Sequence, residues 1–369
     1  MKLHPHGPAP DDPRKAIERY EQALALARAE GDRRNEGSIL NNLGVAHAAL
    51  GDVRKAMEHH EQALAISREI GDRSGECNAL GNLGLAQAHL GESRKAMEQY
   101  EQALKIHREI GDRRGEARDL GNMGNAHFAL GDARKAMESH EQALAIFRET
   151  GDRRGEGAIL GGLGNVHAVL GHARKAMECQ EQRLYIARET GDLQGQGNAL
   201  GNLGNAYADM GDLRRAMECQ EQRLAVAREI GDRRGLGNAL GNLGNAHAAL
   251  GDARKAVEHQ VQALAVFREI GDRRSEGQSL GNLGNAHADL GDLDEAVRCY
   301  DQRLAIARET SDRRGEGVVL FNASSCLAEL GRRGQALEYA HQALAVFEQL
   351  GSPAAEDARQ LIAGLEAEE

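Results

Sequence analysis

The sequence repeats every 40 residues, and this period constrains the fold more than any other feature. One series of glycines marks it at Gly31, Gly71, Gly111, Gly151, Gly191, Gly231, Gly271 and Gly351, with Ser311 in the remaining place. A second glycine series runs from Gly51 to Gly331, and a leucine series runs from Leu40 to Leu320. A strict period of this length indicates a repeat protein whose units pack only against their neighbours. The 369 residues then set the number of units rather than the number of domains.

Each period contains two segments with the spacing of an amphipathic helix. The first segment, helix A, buries one face in the first unit through Ile39, Leu40, Leu43, Ala46, His47 and Leu50. The second segment, helix B, does so through Val53, Ala56, Met57, His60, Ala63, Leu64 and Ser67. Between them, Gly51 ends helix A and Asp52 is placed to cap helix B. The sequence therefore predicts an all-α fold of antiparallel helical hairpins.

Helix A of most units carries interior glycines, such as Gly241 and Gly244. Each costs about 1 kcal/mol relative to alanine in a helix. Aromatic residues make up only 3% of the chain, so close approach of helices has to supply the packing. We therefore expect Gly244 to contact the partner helix.

Charge and cysteine content exclude several functional classes. The net charge of −11 disfavours nonspecific binding to nucleic acids or anionic membranes, and no apolar run reaches the length of a membrane span. The junctions, such as Gly111 to Glu116, have zero net charge and are interpreted as solvated turns rather than phosphate sites. Five cysteines without a CxxC motif or a secretory leader predict a cytoplasmic protein. Cys179, Cys219 and Cys299 share one repeat position and are interpreted as small core residues.

No motif for catalysis, for a cofactor or for a metal is present. The chain lacks a GxxxxGK loop, a GxSxG elbow and a zinc-protease signature, so it is predicted not to be an enzyme. Histidines recur once per repeat, too far apart to share a metal. Within a hairpin, His47 can meet His60 and His127 can meet His140, and a packing role is the preferred interpretation.

The repeat resembles the tetratricopeptide repeat. Its signature spacings are matched by Leu40, Leu43, Gly44 and His47 in helix A and by Ala56, His60 and Ala63 in helix B. The usual unit of about 34 residues is lengthened by GDRSGE at Gly71 to Glu76, a form similar to the repeats of Pins/LGN polarity scaffolds and of bacterial signalling proteins.

The resemblance implies a right-handed superhelical solenoid with an inner groove lined by helix A. One domain is expected over residues 11–366, preceded by a flexible leader at residues 1–10. It has eight full repeats, which start near residues 37, 77, 117, 157, 197, 237, 277 and 317, and a half-repeat at each end. The final half-repeat is a capping helix at residues 353–366. The last full repeat departs from the motif at Phe321, Ser324 and Ser325, as suits a capping unit.

Two columns of asparagines on helix A form the candidate binding site. The first column is Asn82, Asn122, Asn202, Asn242 and Asn282, and the second is Asn125, Asn165, Asn205, Asn245 and Asn285. An amide offers both a donor and an acceptor to a peptide backbone, so these columns predict a peptide-binding groove. Alternatively, the asparagines hydrogen-bond to one another and stabilise the stack of A helices.

Arginines supplement this site. Arg118 is a cation on the same stripe, and Arg183, Arg223 and Arg303 replace the small alanine of helix B. Asp209 and Asp289 are expected to form salt bridges with Arg223 and Arg303. Arg183 lacks such a mate, so it is the arginine best placed to meet an acidic peptide in the groove.

The preferred function is a scaffold or adaptor that binds a peptide segment of a protein partner. Two alternatives stay open. The chain can self-assemble head to tail, because it begins with an unpaired B helix and ends with an A-like helix, or it is the sensor part of a larger signalling protein.

Overall fold

The computed structural model describes residues 12–367. The predicted leader at residues 1–10 lies outside this range. The described residues form 18 α-helices and no strand, and they divide into two compact units with the division after Thr190. None of the helices in this range is long and apolar enough to cross a lipid bilayer.

Nine helices form unit 1. They are α1 (Pro13–Glu30), α2 (Arg33–Ala49), α3 (Val53–Glu69), α4 (Arg73–His89), α5 (Ser93–Ile110), α6 (Arg113–Ala129), α7 (Ala133–Thr150), α8 (Arg153–Val169) and α9 (Ala173–Thr190). Nine more form unit 2. They are α10 (Leu193–Asp209), α11 (Leu213–Ile230), α12 (Arg233–Ala249), α13 (Ala253–Glu269), α14 (Arg273–Asp289), α15 (Leu293–Glu309), α16 (Arg313–Glu329), α17 (Arg333–Gln349) and α18 (Ala354–Ala367).

Each unit is an all-α repeat solenoid, as the period predicts. Even-numbered helices are A helices, odd-numbered helices are B helices, and α2 to α17 make eight hairpins. Within a unit each helix packs against its sequence neighbours, and successive A helices also touch. The A helices begin four residues before the predicted repeat starts, at Arg33 rather than residue 37, because the junction residues join the helix.

Glycine and aspartate define the turns between helices. Gly71 adopts a left-handed conformation with φ of 69° at the end of α3, where a side chain is disfavoured. Asp72 then accepts a hydrogen bond from the amide of Gly75 at 3.1 Å and so caps α4. Most turns repeat this arrangement. Asp52 is an exception, because its side chain makes no cap hydrogen bond to α3.

The core between A and B helices depends on a glycine in the A helix of seven of the eight hairpins. Gly244 lies against the buried Gln260 of α13, and a Cβ atom at Gly244 would come within 2.8 Å of Gln260 Nε2. This confirms the predicted contact with the partner helix. The same position faces a large side chain in other hairpins, where Gly84 faces Tyr100 and Gly284 faces Tyr300. In the last hairpin the larger residue of the pair is on helix A, because Ser324 replaces the glycine and the facing residue of helix B is the small Ala340.

A network of ion pairs joins successive repeats at the junctions. The buried carboxylate of Glu76 accepts from Arg68 Nε at 2.9 Å and from Arg73 Nη1 at 2.7 Å, and Arg73 also contacts Glu109 of the next B helix. Glu36, Glu116, Glu156, Glu276 and Glu316 repeat the first two contacts. The first arginine of these pairs remains exposed to solvent, as in Arg73 with 43% exposure, and in the repeats with this glutamate its guanidinium is also held by the buried carboxylate.

Two further expectations about packing are corrected. Leu50 is 39% exposed rather than buried, because it follows the last turn of α2. His47 stacks on His59, with ring centroids 5.2 Å apart, rather than on His60. The ring of His60 instead lies beneath Gly44 and bonds Asn41 Oδ1 at 2.9 Å.

One buried ion pair replaces apolar packing in unit 1. His107 and Asp119 are 1% and 2% exposed, and His107 Nδ1 lies 2.6 Å from Asp119 Oδ2. Burial lowers the pKa of His107, but hydrogen bonds with Asp119 and with Cys77 outweigh it and raise the pKa to about 9. The raised pKa favours the protonated imidazole beside Asp119.

Candidate functional site

The predicted asparagines lie on the accessible side of the A helices. The second column is exposed throughout, at Asn125, Asn165, Asn205, Asn245 and Asn285. The first column is partly buried, at Asn82, Asn122, Asn202, Asn242 and Asn282. The division of the chain places Asn82, Asn122, Asn125, Asn165, Arg118 and Arg183 in unit 1, and the other six asparagines in unit 2.

In unit 2, amides of the two columns bond to each other between successive A helices. Asn242 Nδ2 donates to Asn205 Oδ1 at 2.8 Å, and Asn282 Nδ2 donates to Asn245 Oδ1 at 2.9 Å. Asn322 continues the first column and donates to Asn285 at 3.2 Å. The hydrogen bonds that the stabilising alternative requires are therefore present.

Residues of helix B fix the orientation of the second column. Gln260 Nε2 donates to Asn245 Oδ1 at 2.8 Å, and Tyr300 Oη donates to Asn285 Oδ1 at 2.8 Å. Each Oδ1 thus accepts two hydrogen bonds, one from helix B and one from the next A helix. The Nδ2 groups of Asn245 and Asn285 make no hydrogen bond within residues 12–367.

The two columns consequently expose different hydrogen-bonding groups at the surface. The second column leaves amide donors available at Asn205, Asn245 and Asn285, whereas the first column uses its donors and leaves the oxygen acceptors of Asn242 and Asn282. Donors and acceptors therefore alternate along unit 2. Groups of both kinds can form hydrogen bonds with a ligand.

Two hollows lie along this stripe in unit 2. The first, of about 340 Å³, is lined by Asn205, Asp209, Gln220, Asn242 and Asn245. The second, of about 350 Å³, is lined by Asn245, Gly281, Asn282, Asn285, Arg303 and Val318. We call the two hollows and the asparagines between them the unit 2 groove.

The candidate residues of unit 1 are less closely connected. Asn82 donates to Asn41 Oδ1 at 3.1 Å, but Asn41 occupies the glycine position next to the first column. The place of the second column is taken by exposed Val45 and Leu85 in the first two hairpins. Arg118 is exposed beside the buried Asp119. The accessible stripe of α2 and α4 is therefore more apolar than that of unit 2.

The helix-B arginines are not paired as predicted. Arg303 Nη2 lies 2.5 Å from Asp312, the cap of the next A helix, so the predicted bridge to Asp289 is wrong. The predicted bridge between Asp209 and Arg223 is likewise absent from the described part of the chain. Arg183 and Arg223 lie against glycines of their own hairpins. A Cβ at Gly161 would come within 2.5 Å of Arg183 Nη1, and a Cβ at Gly201 would come within 2.7 Å of Arg223 Nη1.

Sequence reasoning missed three contributors to the groove. Gln260 and Tyr300 belong to helix B and orient the amides from beneath, and Asn322 extends the first column. The period gave a signal for Asn322, which lies 40 residues after Asn282. Gln260 and Tyr300 could have been found because a polar residue recurs at this position on the buried face of helix B.

The fold and the signature residues place the chain in a known family. The tetratricopeptide repeat family model matches residues 11–69, 36–109, 75–149, 116–189, 155–229, 195–269 and 275–349. The chain belongs to the tetratricopeptide repeat family.

Solved structures share this fold at low sequence identity. A signal transduction ATPase with a tetratricopeptide repeat sensor, from Pyrococcus horikoshii, is 14% identical with a TM-score of 0.73, over 96% of this chain and 55% of that one. The apo quorum sensor NprR from B. thuringiensis is 11% identical with a TM-score of 0.61, over 91% and 99%. A Rap protein complexed with competence and sporulation factor is 16% identical with a TM-score of 0.56, over 91% and 98%. Comparison with curated protein sequences finds no match.

Proposed function

We propose that the chain is an interaction module that binds an extended peptide segment of a protein partner in the unit 2 groove. The observation that carries this proposal is the alternation of available donors and acceptors at Asn205, Asn242, Asn245 and Asn282. A row of this kind can bind a backbone without requiring particular side chains. The amides are held in place before binding, which lowers the entropy cost of association.

The similar proteins support an interaction or sensing role. One structure is of a Rap protein complexed with a factor, one is of a quorum sensor, and one contains a repeat sensor within an ATPase. We also propose that the chain belongs to the subtype with 40-residue repeats, as in Pins/LGN-like and bacterial signalling proteins, because its period is 40 residues. It also includes a single continuous solenoid domain and a noncatalytic role for the chain.

Selection from a random peptide library tests the proposal. Peptides displayed on phage are selected on the full chain, and their affinities are measured by isothermal titration calorimetry. The double variant Asn245→Ala/Asn285→Ala should weaken binding by at least about tenfold, a loss of about 1.4 kcal/mol. Gln182→Ala, on the exposed side of α9, is the control and should bind as the wild type does. Failure to enrich any peptide, or equal binding by the double variant, would contradict the proposal.

Self-assembly is a second candidate, favoured by one observation on α1. Leu26 is 59% exposed, whereas its repeat counterpart Ile66 is 6% exposed beneath Gly37 of its own A helix. An apolar contact surface is therefore available on α1. Light scattering over a concentration series distinguishes the two functions, because assembly predicts a mass that grows with concentration and falls with Leu26→Glu.

A further inference from the structure

Arg223 is a partly buried cation without a counter-charge in contact. Its guanidinium makes no hydrogen bond or ion pair within the described residues, and Asp232 supplies the one carboxylate that acts on it electrostatically. The side chain is only partly exposed, and this burial lowers the pKa of Arg223. An arginine nevertheless stays charged in proteins. The structure therefore holds a positive charge that is neither fully hydrated nor paired.

The guanidinium lies against α10 at a glycine whose repeat counterpart lines the second hollow. It rests on Gly201, where an added Cβ would come within 2.7 Å of Nη1 and 2.8 Å of Cζ. Gly281 is the counterpart of Gly201 two repeats later and lines the second hollow with Asn282 and Asn285. At Gly241 and Gly281 nothing lies within 4 Å of a built Cβ, so within unit 2 this glycine column is open at both positions that no arginine covers. Arg223 thus occupies the repeat position that Arg303 occupies in the lining of the second hollow.

Arg303 occupies the same repeat position but is neutralised. Its Nη2 lies 2.5 Å from Asp312, and its side chain is only 12% exposed. Asp232 is the counterpart of Asp312, but it caps α12 through the Gly235 amide at 2.9 Å and makes no ion pair with Arg223. The two arginines therefore form a natural comparison within unit 2, one with a bound carboxylate and one without.

We propose that Arg223 binds a carboxylate side chain of the partner peptide, so that the groove selects segments with an aspartate or glutamate beside the amide-bound backbone. This inference rests on the proposed function. A planar guanidinium presents paired N–H donors that match the two oxygens of a carboxylate. The ligand would supply at Arg223 the contact that Asp312 supplies at Arg303. Because the site is partly withdrawn from water, this pair is screened less than a surface pair.

Selection with matched variants tests the inference. The same peptide library is applied to the wild type, to Arg223→Gln and to Arg254→Gln, an exposed arginine of α13 outside both hollows, after thermal melts establish that each variant folds. An acidic residue should be enriched at one peptide position with the wild type and with Arg254→Gln, but not with Arg223→Gln. For the tightest peptide, glutamate to glutamine at that position should weaken wild-type binding by about 10- to 100-fold and should leave Arg223→Gln binding unchanged.

The outcomes separate this inference from the proposed function. If peptides bind through the amides with no acidic preference, the assignment of Arg223 fails and the peptide groove stands. If no peptide binds, both fail. Loss of the preference in Arg254→Gln as well as in Arg223→Gln would show that it depends on net charge rather than on the Arg223 contact, and would overturn the assignment. Tighter Arg223-dependent binding of a phosphoserine peptide than of the glutamate peptide would overturn the choice of carboxylate.

Discussion

Gly244 of α12 lies directly against the side chain of Gln260 of α13, and this contact sets the separation of the two helices. A Cβ at Gly244 would approach Gln260 Nε2 to 2.8 Å, whereas a Cβ at Gly241, three residues earlier, would meet nothing within 4 Å. The buried Gln260 in turn donates to Gly241 O at 3.0 Å and to Asn245 at 2.8 Å. One glycine therefore makes room for the residue that orients an amide of the groove.

We expect Gly244→Leu to destabilise the protein strongly, by about 1–3 kcal/mol, because the new side chain overpacks a filled interface. Gly241→Leu is the matched control. It faces open space and gains helix propensity, so it should stabilise by up to about 1 kcal/mol. Urea unfolding of both variants measures the difference, and equal effects would contradict the packing role of Gly244.

A compensating pair tests the same contact. Gly244→Ser with Gln260→Ala reproduces the sizes of Ser324 and Ala340 in the last hairpin. The double variant should be more stable than the sum of the single changes by about 0.5–3 kcal/mol. Additive effects in this double-mutant cycle would show that the two positions do not interact.

The buried pair of His107 and Asp119 is expected to be replaceable by apolar residues. Phe147 and Ile159 occupy the same positions one repeat later, where Gly155 makes room for the phenyl ring as Gly115 does for His107. His107→Phe with Asp119→Ile should leave stability unchanged or raise it by about 1–4 kcal/mol, whereas Asp119→Ile alone should cost about 3–5 kcal/mol. Chemical denaturation of the three variants provides the measurement.

The pH dependence of this pair has a definite sign. The pKa of His107 is raised to about 9, so its contribution is fully present below the ordinary histidine value and is lost as pH rises through about 9. The wild type should lose stability between pH 7 and pH 9 relative to the double variant. Parallel curves for the two proteins would show that His107 is not held as a cation.

His140 should have the opposite effect. Both ring nitrogens are buried without a partner among the described residues, and burial lowers the pKa of His140 to about 4. The folded state therefore binds fewer protons than the unfolded state between pH 6.5 and pH 4, and stability falls as pH decreases, by up to about 3 kcal/mol. His140→Gln, which mimics Gln180, should reduce this loss in urea unfolding at pH 4.5. An unchanged pH dependence would contradict the assignment.

Ser311 is the one described residue other than glycine with a positive φ, at 56°. Ser311→Gly should stabilise the protein by about 0.5–1 kcal/mol, because glycine adopts this conformation without steric cost. Gly271→Ser makes the reverse change at a φ of 67° and should destabilise by a similar amount. Thermal melts of both variants test whether backbone strain explains the glycine series.

The fold was predictable because its determinants are local and recur. Gly71 and Asp72 act through turn and cap geometry within a few residues, so spacing alone indicated where the helices end. The site was less predictable because its geometry depends on contacts between helices. The spacing did not show whether Arg303 pairs with Asp289 behind it or with Asp312 ahead of it. Nor did it show that Gln260 turns the Asn245 oxygen inward.

The most direct test of the peptide groove separates the two roles of its asparagines. Asn245→Asp with Asn285→Asp keeps the oxygens that accept from Gln260 and Tyr300 but removes the available Nδ2 donors. Calorimetric titration with a library-selected peptide should show at least about tenfold weaker binding than for the wild type, while the melting temperature changes little. Wild-type affinity in this variant would show that the amides only stabilise the stack, and would contradict the account.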